Sequence, residues 1–157
     1  MGAKKIIKIF TTWRFLFYLL LKLPMVLIAG IRVKKLTNRQ ATVSAPYNYI
    51  NKNPFRSMYF AVQAMAAELS TGSLVILNAE GHNMSMLVTK LEAKYLKKAT
   101  TKINFTCLDG DHIKICVQEA IKTSKGQTCV LTSRGYDANG ICVSEFNITW
   151  SLKTRNT

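Results

Sequence analysis

A chain of 157 residues with 48% apolar and 19% charged content suits one folded domain with a real core and is too apolar for a disordered tail. Four cysteines without a CxxC pair, beside only two histidines, argue against a zinc site and make a disulfide framework unnecessary; they read as small buried residues in a reducing compartment. The net charge of +14 is uneven: residues 1–67 hold eleven Lys or Arg and no acid, while residues 68–157 hold eleven basic and eight acidic residues, a net of +3. Such a field favours an anionic partner: a phosphorylated cofactor, acidic lipid or nucleic acid.

Residues 6–31 are strongly apolar but are interrupted by Lys8, Arg14, Lys22 and Pro24. The longest charge-free runs are Phe15–Leu21 and Leu23–Ile31, short of the roughly twenty apolar residues that a spanning helix wants. Basic residues flank both ends, and no small-residue cleavage site follows the run. Three readings stay open. The segment is a helix packed on the domain and turned at Pro24, an amphipathic helix on anionic membrane with Trp13 and Tyr18 at the interface, or a true span.

Two strands follow, Ile31–Leu36 and Ala41–Ala45, joined by the polar turn 37–40. Asn53-Pro54 predicts the start of a helix, Asn as the cap and Pro at the first helical position, with Ser57 a rival cap one turn later. That helix is apolar nearly all round and ends at Gly72 or runs on through Leu77; the small residues 70–73 allow close packing. After a loop at 78–83, Leu87, Leu91, Ala93 and Tyr95 share one strand face, opposite Lys90, Glu92 and Lys94. Residues 102–107 alternate as a further strand. Asp109 to Asp111 form a turn and cap, and Ile113, Cys116, Val117, Ala120 and Ile121 repeat at helical spacing. Residues 128–136 and 141–153 make a last hairpin turning at 137–140, with Phe146, Ile148, Trp150 and Leu152 on one face.

Glu68 stands out within the apolar helix. It is the first acid in the chain, and its neighbours three and four residues away are Ala64, Met65, Thr71 and Gly72, none of them cationic. A buried carboxylate without a partner is costly. Either backbone donors hold it or it is kept for chemistry.

An all-apolar helix with antiparallel strands around it resembles the hotdog fold: α+β, a curved antiparallel sheet of about six strands wrapped around one long buried helix, with an N-terminal helix and a short inserted helix. The spacing sharpens the likeness. Hotdog acyl-CoA thioesterases related to the phenylacetate-pathway enzyme carry an Asn, a His-Gly-Gly six positions on, and an Asp or Glu nine positions after that His. Here Asn53, Tyr59 and Glu68 keep this spacing, but Tyr59, Phe60 and Ala61 replace His-Gly-Gly, and Arg56 stands where the family often has Gly. The string from Asn53 to Gly72, Tyr95–Ala99, Gly140 and the final strand are similar to an uncharacterised bacterial branch of the fold, a domain of unknown function. On this reading residues 1–30 form an apolar, basic helical segment and 31–157 the hotdog domain.

The resemblance implies hydrolysis of an acyl-CoA or other pantetheine thioester, with acyl-CoA as substrate, no cofactor and no metal. Glu68 would activate water or attack the thioester itself. The backbone N–H of Phe60 would meet the oxyanion, and Asn53 would add an amide. Ser85 or Thr89 would supply a hydroxyl from the strand after the helix. Arg56, Lys97 and Lys98 would receive the phosphates, and Tyr59 would lie against the substrate. The alternative is a non-catalytic acyl or thioester binder or scaffold. The implied partners are a second copy, as homodimer or homotetramer with sites between subunits, and an anionic membrane surface through residues 1–31. Nucleic acid is not expected, because the basic residues are interleaved with aliphatic runs. The expected location is the cytoplasm, or the periphery of the inner membrane.

Overall fold

The computed structural model describes residues 3–10 and 14–155. Three helices, α1 (Ala3–Phe10), α2 (Arg14–Lys22) and α3 (Pro24–Ile28), precede strands β1 (Arg32–Leu36) and β2 (Ala41–Ala45). The long helix α4 (Phe60–Asn78) is followed by β3 (Met84–Tyr95) and β4 (Ile103–Cys107), the inserted helix α5 (Gly110–Thr123), and the hairpin β5 (Gln127–Tyr136) and β6 (Cys142–Thr154). All six strands form one antiparallel sheet in the order β1-β2-β4-β5-β6-β3.

The sheet wraps α4. Ala66, Ala67, Leu74 and Val75 of the helix are fully buried, and Phe146, Ile148, Trp150 and Leu152 of β6 are buried with them, as their alternation predicts. Each large side chain so buried contributes about 1.5–3 kcal/mol. The small residues at 70–73 are all buried, and Ser70 shares a 2.8 Å hydrogen bond with Ser133 of β5. Close approach also fixes Gly135, where a Cβ would lie 2.6 Å from the Phe105 ring. At the β5–β6 turn the Asp137 carboxylate accepts the N–H groups of Asn139 and Ile141, each at 2.9 Å.

Two expectations need correction. The helix does not start at Asn53-Pro54. Asn53 Oδ1 accepts N–H groups from Phe55 (3.0 Å) and Ser57 (3.2 Å), so its side chain closes a loop on itself and does not cap α4. Met58 N–H is then held by Ala99 O and Tyr59 N–H by Asn51 O, both at 2.7 Å. This leaves Tyr59 extended, and the helix opens at Phe60.

The second correction concerns β3. Its pairing with β6 slips between Val88 and Lys90, which makes Thr89 the extra residue of a bulge. Met86 and Val88 sit opposite Leu152 and Trp150, while Leu91, Ala93 and Tyr95 sit opposite Ile148, Phe146 and Ser144. These side chains share the helix-facing side of the sheet, and Leu87, 63% exposed, faces outward. Strict alternation put Leu87 on the wrong face because it could not register the extra residue.

At the N-terminus the described parts of the apolar segment are helical over Ala3–Phe10, Arg14–Lys22 and Pro24–Ile28, with the turn at Pro24 that the first of the three readings expects. Phe10, Leu19, Val26 and Ala29 belong to the same core as the sheet and α4. Trp13 and the side chain of Tyr18 lie outside the described residues. The one described helix long and apolar enough to cross a membrane is α4 itself, and the sheet encloses it.

Candidate active site

Glu68 sits midway along α4 with its carboxylate above Gly72. A Cβ at Gly72 would lie 3.1 Å from Glu68 Oε1 and 3.3 Å from the Trp150 ring. Glycine at this buried place on the helix therefore makes room for the acid and the indole together. Thr71 ties the wall in place: its hydroxyl donates to Glu68 O at 2.9 Å and receives Trp150 Nε1–H at 3.1 Å. Among the described residues, no cation or hydrogen-bond donor meets the carboxylate itself. Burial pushes the Glu68 pKa above the ordinary 4.5, through desolvation of the charged form.

The carboxylate faces a cavity of about 230 Å³ lined by Phe10, Leu23, Leu69, Ile76, Met86 and Trp150 together with Glu68, Gly72 and Ser73. It is an apolar chamber with one acid in its wall. Helix α4 supplies one side, the sheet another and the N-terminal segment a third.

A second cavity, of about 380 Å³, lies at the start of α4. Asn53, Ser57, Phe60, Gln63, Tyr95, Lys97 and Lys98 are among its lining residues. No side chain caps the helix here, and the amides of Phe60 and Ala61 meet no acceptor among the described residues. Free amides at a helix start favour negative charge. Asn53 donates one amide hydrogen to Ser57 Oγ at 3.1 Å, which leaves its second for another acceptor. Lys98 reaches Phe55 O at 3.2 Å.

The remaining candidates are scattered. Tyr59 is 45% exposed, and its ring packs edge-on against Phe60 at 4.8 Å. Arg56 is exposed and lines neither cavity; its φ of +59° matches the glycine that the resemblance would place there. Ser85 stands opposite Lys153 on the outer face of β3, turned away from the Met86 side that lines the Glu68 cavity. Thr89 is exposed at the bulge, with only a long contact to Thr149 O at 3.4 Å. One chain thus gathers Asn53, Phe60, Lys97 and Lys98, and holds Glu68 apart. Phe60 and Glu68 are eight residues apart on α4, about 12 Å along the axis.

Sequence reasoning missed Gln63 and the cavity walls. Gln63 is only 4% exposed; its Oε1 accepts the Ser144 hydroxyl at 2.9 Å. Its signal was present as a long polar side chain in the apolar first half of the helix. Phe10, Leu23 and Met86 carry no such signal, because only the packed chain brings them to Glu68.

A six-stranded antiparallel sheet wrapped around one buried helix is the hotdog architecture, and this chain has it. The family described as "Domain of unknown function (DUF4442)" matches residues 11–152, and the chain belongs to that family. Among solved structures, a Pseudomonas aeruginosa protein of unknown function described as "Probable Thioesterase" superposes with a TM-score of 0.80 at 19% identity, covering 99% of this chain and 97% of that one. A candidate thioesterase of Shewanella oneidensis gives 0.78 at 14% identity, with 97% and 99% covered. A Haemophilus influenzae thioesterase gives 0.66 at 12% identity, with 86% of each chain covered. No curated protein matches the sequence.

Proposed function

We propose that the protein hydrolyses an acyl-CoA or other pantetheine thioester, in sites built between two copies of the chain. The observation that carries this is the Glu68 carboxylate, without a charged partner among the described residues, in the wall of an apolar cavity. In the reaction, a water oxygen attacks the thioester carbonyl as Glu68 takes its proton. The tetrahedral oxyanion rests on the Phe60 amide and on Asn53. The C–S bond then breaks, and the leaving thiolate takes the proton from Glu68 to become the free thiol, which restores the carboxylate. An acid whose pKa lies above the usual carboxylate range is a better base near neutral pH.

The geometry also supports a second copy. Strand β3 is a twelve-residue edge strand with Met86, Leu87, Leu91 and Tyr95 exposed. Such an edge is a template for pairing. Met86, near its start, lines the Glu68 cavity, and Tyr95, at its end, lines the Asn53–Phe60 cavity. Antiparallel pairing of two β3 strands about a two-fold axis sets the start of one against the end of the other. Glu68 of one copy would then approach Phe60 and Asn53 of the next, and Lys97 and Lys98, which line that cavity, would meet phosphates.

The test is complementation. Glu68→Gln and Asn53→Ala should each abolish thiol release from a panel of acyl-CoA thioesters while the fold remains. Mixed and allowed to exchange, the two variants should recover about a quarter of wild-type turnover, since half the dimers are mixed and each carries one intact site. No recovery would sink the shared site, and no turnover by the wild type across the panel would sink the hydrolase. A second reading, an acyl-thioester binder without turnover, is favoured by Tyr59-Phe60-Ala61 at the His-Gly-Gly positions. Acyl-CoA binding without hydrolysis would support it.

A further inference from the structure

We propose that the outer face of α2 and α3 is a docking surface for an anionic lipid bilayer. Leu19, Val26 and Ala29 hold these helices to the core at 0%, 5% and 3% exposure. A surface helix would ordinarily turn polar residues outward. Here Leu20 (57%) and Leu21 (78%) of α2, then Met25 (61%) and Ile28 (57%) of α3, face solvent. Leu20 and Leu21 are adjacent, and Met25 and Ile28 are three apart on one helix face. Exposed apolar side chains clustered in this way mark a partner surface, where single exposed leucines would not.

Charge selects the partner. Lys22 lies exposed between the two apolar pairs, and no acid occurs anywhere in residues 1–67. A second copy on this face would bring two basic segments together. An anionic bilayer answers both features at once: the acyl region takes the leucines, methionine and isoleucine, and the headgroups take the lysine and the field behind it. The five residues of α3 are too few to cross such a surface and rest on it.

The same segment roofs the Glu68 cavity, because Phe10 and Leu23 are part of its lining. Docking would therefore set the chamber beside lipid, where acyl groups concentrate. That consequence rests on the thioesterase reading; the docking itself does not.

The experiment is sedimentation of the full chain with vesicles of phosphatidylcholine containing about one-third phosphatidylglycerol, and with phosphatidylcholine alone. The expected result is binding to the anionic vesicles, weakened by salt, and little binding to the neutral ones. The double variant Leu21→Glu/Met25→Glu, checked by circular dichroism and light scattering, should bind at least about tenfold more weakly with unchanged mass. Should it fail to fold, Ile28→Gln gives a milder loss in the same direction. Absence of binding, equal binding to both vesicles, or undiminished binding by a folded variant overturns the proposal. So does a fall in oligomeric mass on substitution, which would assign the face to a second copy. Because vesicle binding is read without turnover, a failed hydrolysis assay leaves this result standing.

Discussion

Replacing Gly72 by alanine separates the stability of α4 from the chemistry proposed for Glu68. In a helix interior, Gly→Ala gains about 1 kcal/mol from backbone entropy alone. Against this, the new methyl would stand 3.1 Å from Glu68 Oε1 and 3.3 Å from two atoms of the Trp150 ring, so both must yield by a few tenths of an ångström. Overpacking of that kind costs about 1–3 kcal/mol. The two terms oppose, and the net loss of stability is between nil and about 2 kcal/mol. The proposed catalysis has no such compensation. A misplacement of 1 Å costs on the order of a hundredfold, so a third of that costs about fivefold in turnover. A urea melt gives the first quantity and a thiol-release assay on an acyl-CoA substrate gives the second. A folded Gly72→Ala protein that turns over at the wild-type rate would refute the placement of the carboxylate over this residue.

Other substitutions test other parts of the reasoning. Because desolvation raises the Glu68 pKa above 4.5 in the fold, the folded state holds this proton to higher pH than the unfolded chain. Its contribution is fully present below about pH 4.5 and is lost as pH rises through the raised value. Melting of Glu68→Gln at pH 4 and pH 7 should show the variant gaining on the wild type with pH; an unchanged difference would place the acid in water. Gly135→Ala forces a methyl to 2.6 Å from Phe105 and 2.9 Å from Ser144 Oγ, and should lose about 3 kcal/mol or fail to fold, as read from soluble yield and denaturant midpoint. Arg56→Gly relieves a left-handed residue at φ +59°. It should raise the unfolding free energy read from a urea melt by about 0.5 kcal/mol, strain relief outweighing the extra entropy of the unfolded chain.

What the sequence disclosed depended on whether the signal was local. Phe146, Ile148, Trp150 and Leu152 alternate without interruption, and the structure buries all four. Glu68 was legible because an acid in an apolar helix is conspicuous at any register. Leu87 was misplaced because one bulged residue, Thr89, inverts a period of two and leaves no trace in composition. The start of α4 was misjudged for a different reason. Asn53 and Pro54 are good helix openers, but Asn53 spends its carbonyl oxygen on Phe55 and Ser57, and the backbone of residues 58 and 59 is pinned by Ala99 and Asn51. Those last two contacts come from a distant loop and from the segment just before, and tertiary pinning of this sort overrides capping preference.

The late start of α4 bears on the replaced glycines. Had the helix begun at Pro54, the amide of Phe60 would have donated into the helix and offered nothing to a ligand. Opening at Phe60 leaves the Phe60 and Ala61 amides as the first two of the helix, without acceptors among the described residues. A backbone donor is indifferent to its own side chain, so replacing Gly-Gly by Phe60-Ala61 keeps the hydrogen-bonding capacity. It changes the approach: the Phe60 ring is 55% exposed and packs between Tyr59 and Tyr95 at 4.8 and 6.3 Å. On the proposed reading, Phe60-Ala61 in place of Gly-Gly would therefore act on which acyl group fits beside the amide before it acted on whether an oxyanion can be held. The histidine of the resembled thioesterases has no counterpart in Tyr59 or in the exposed His82 and His112, so the proposed hydrolysis would rest its acid–base work on Glu68.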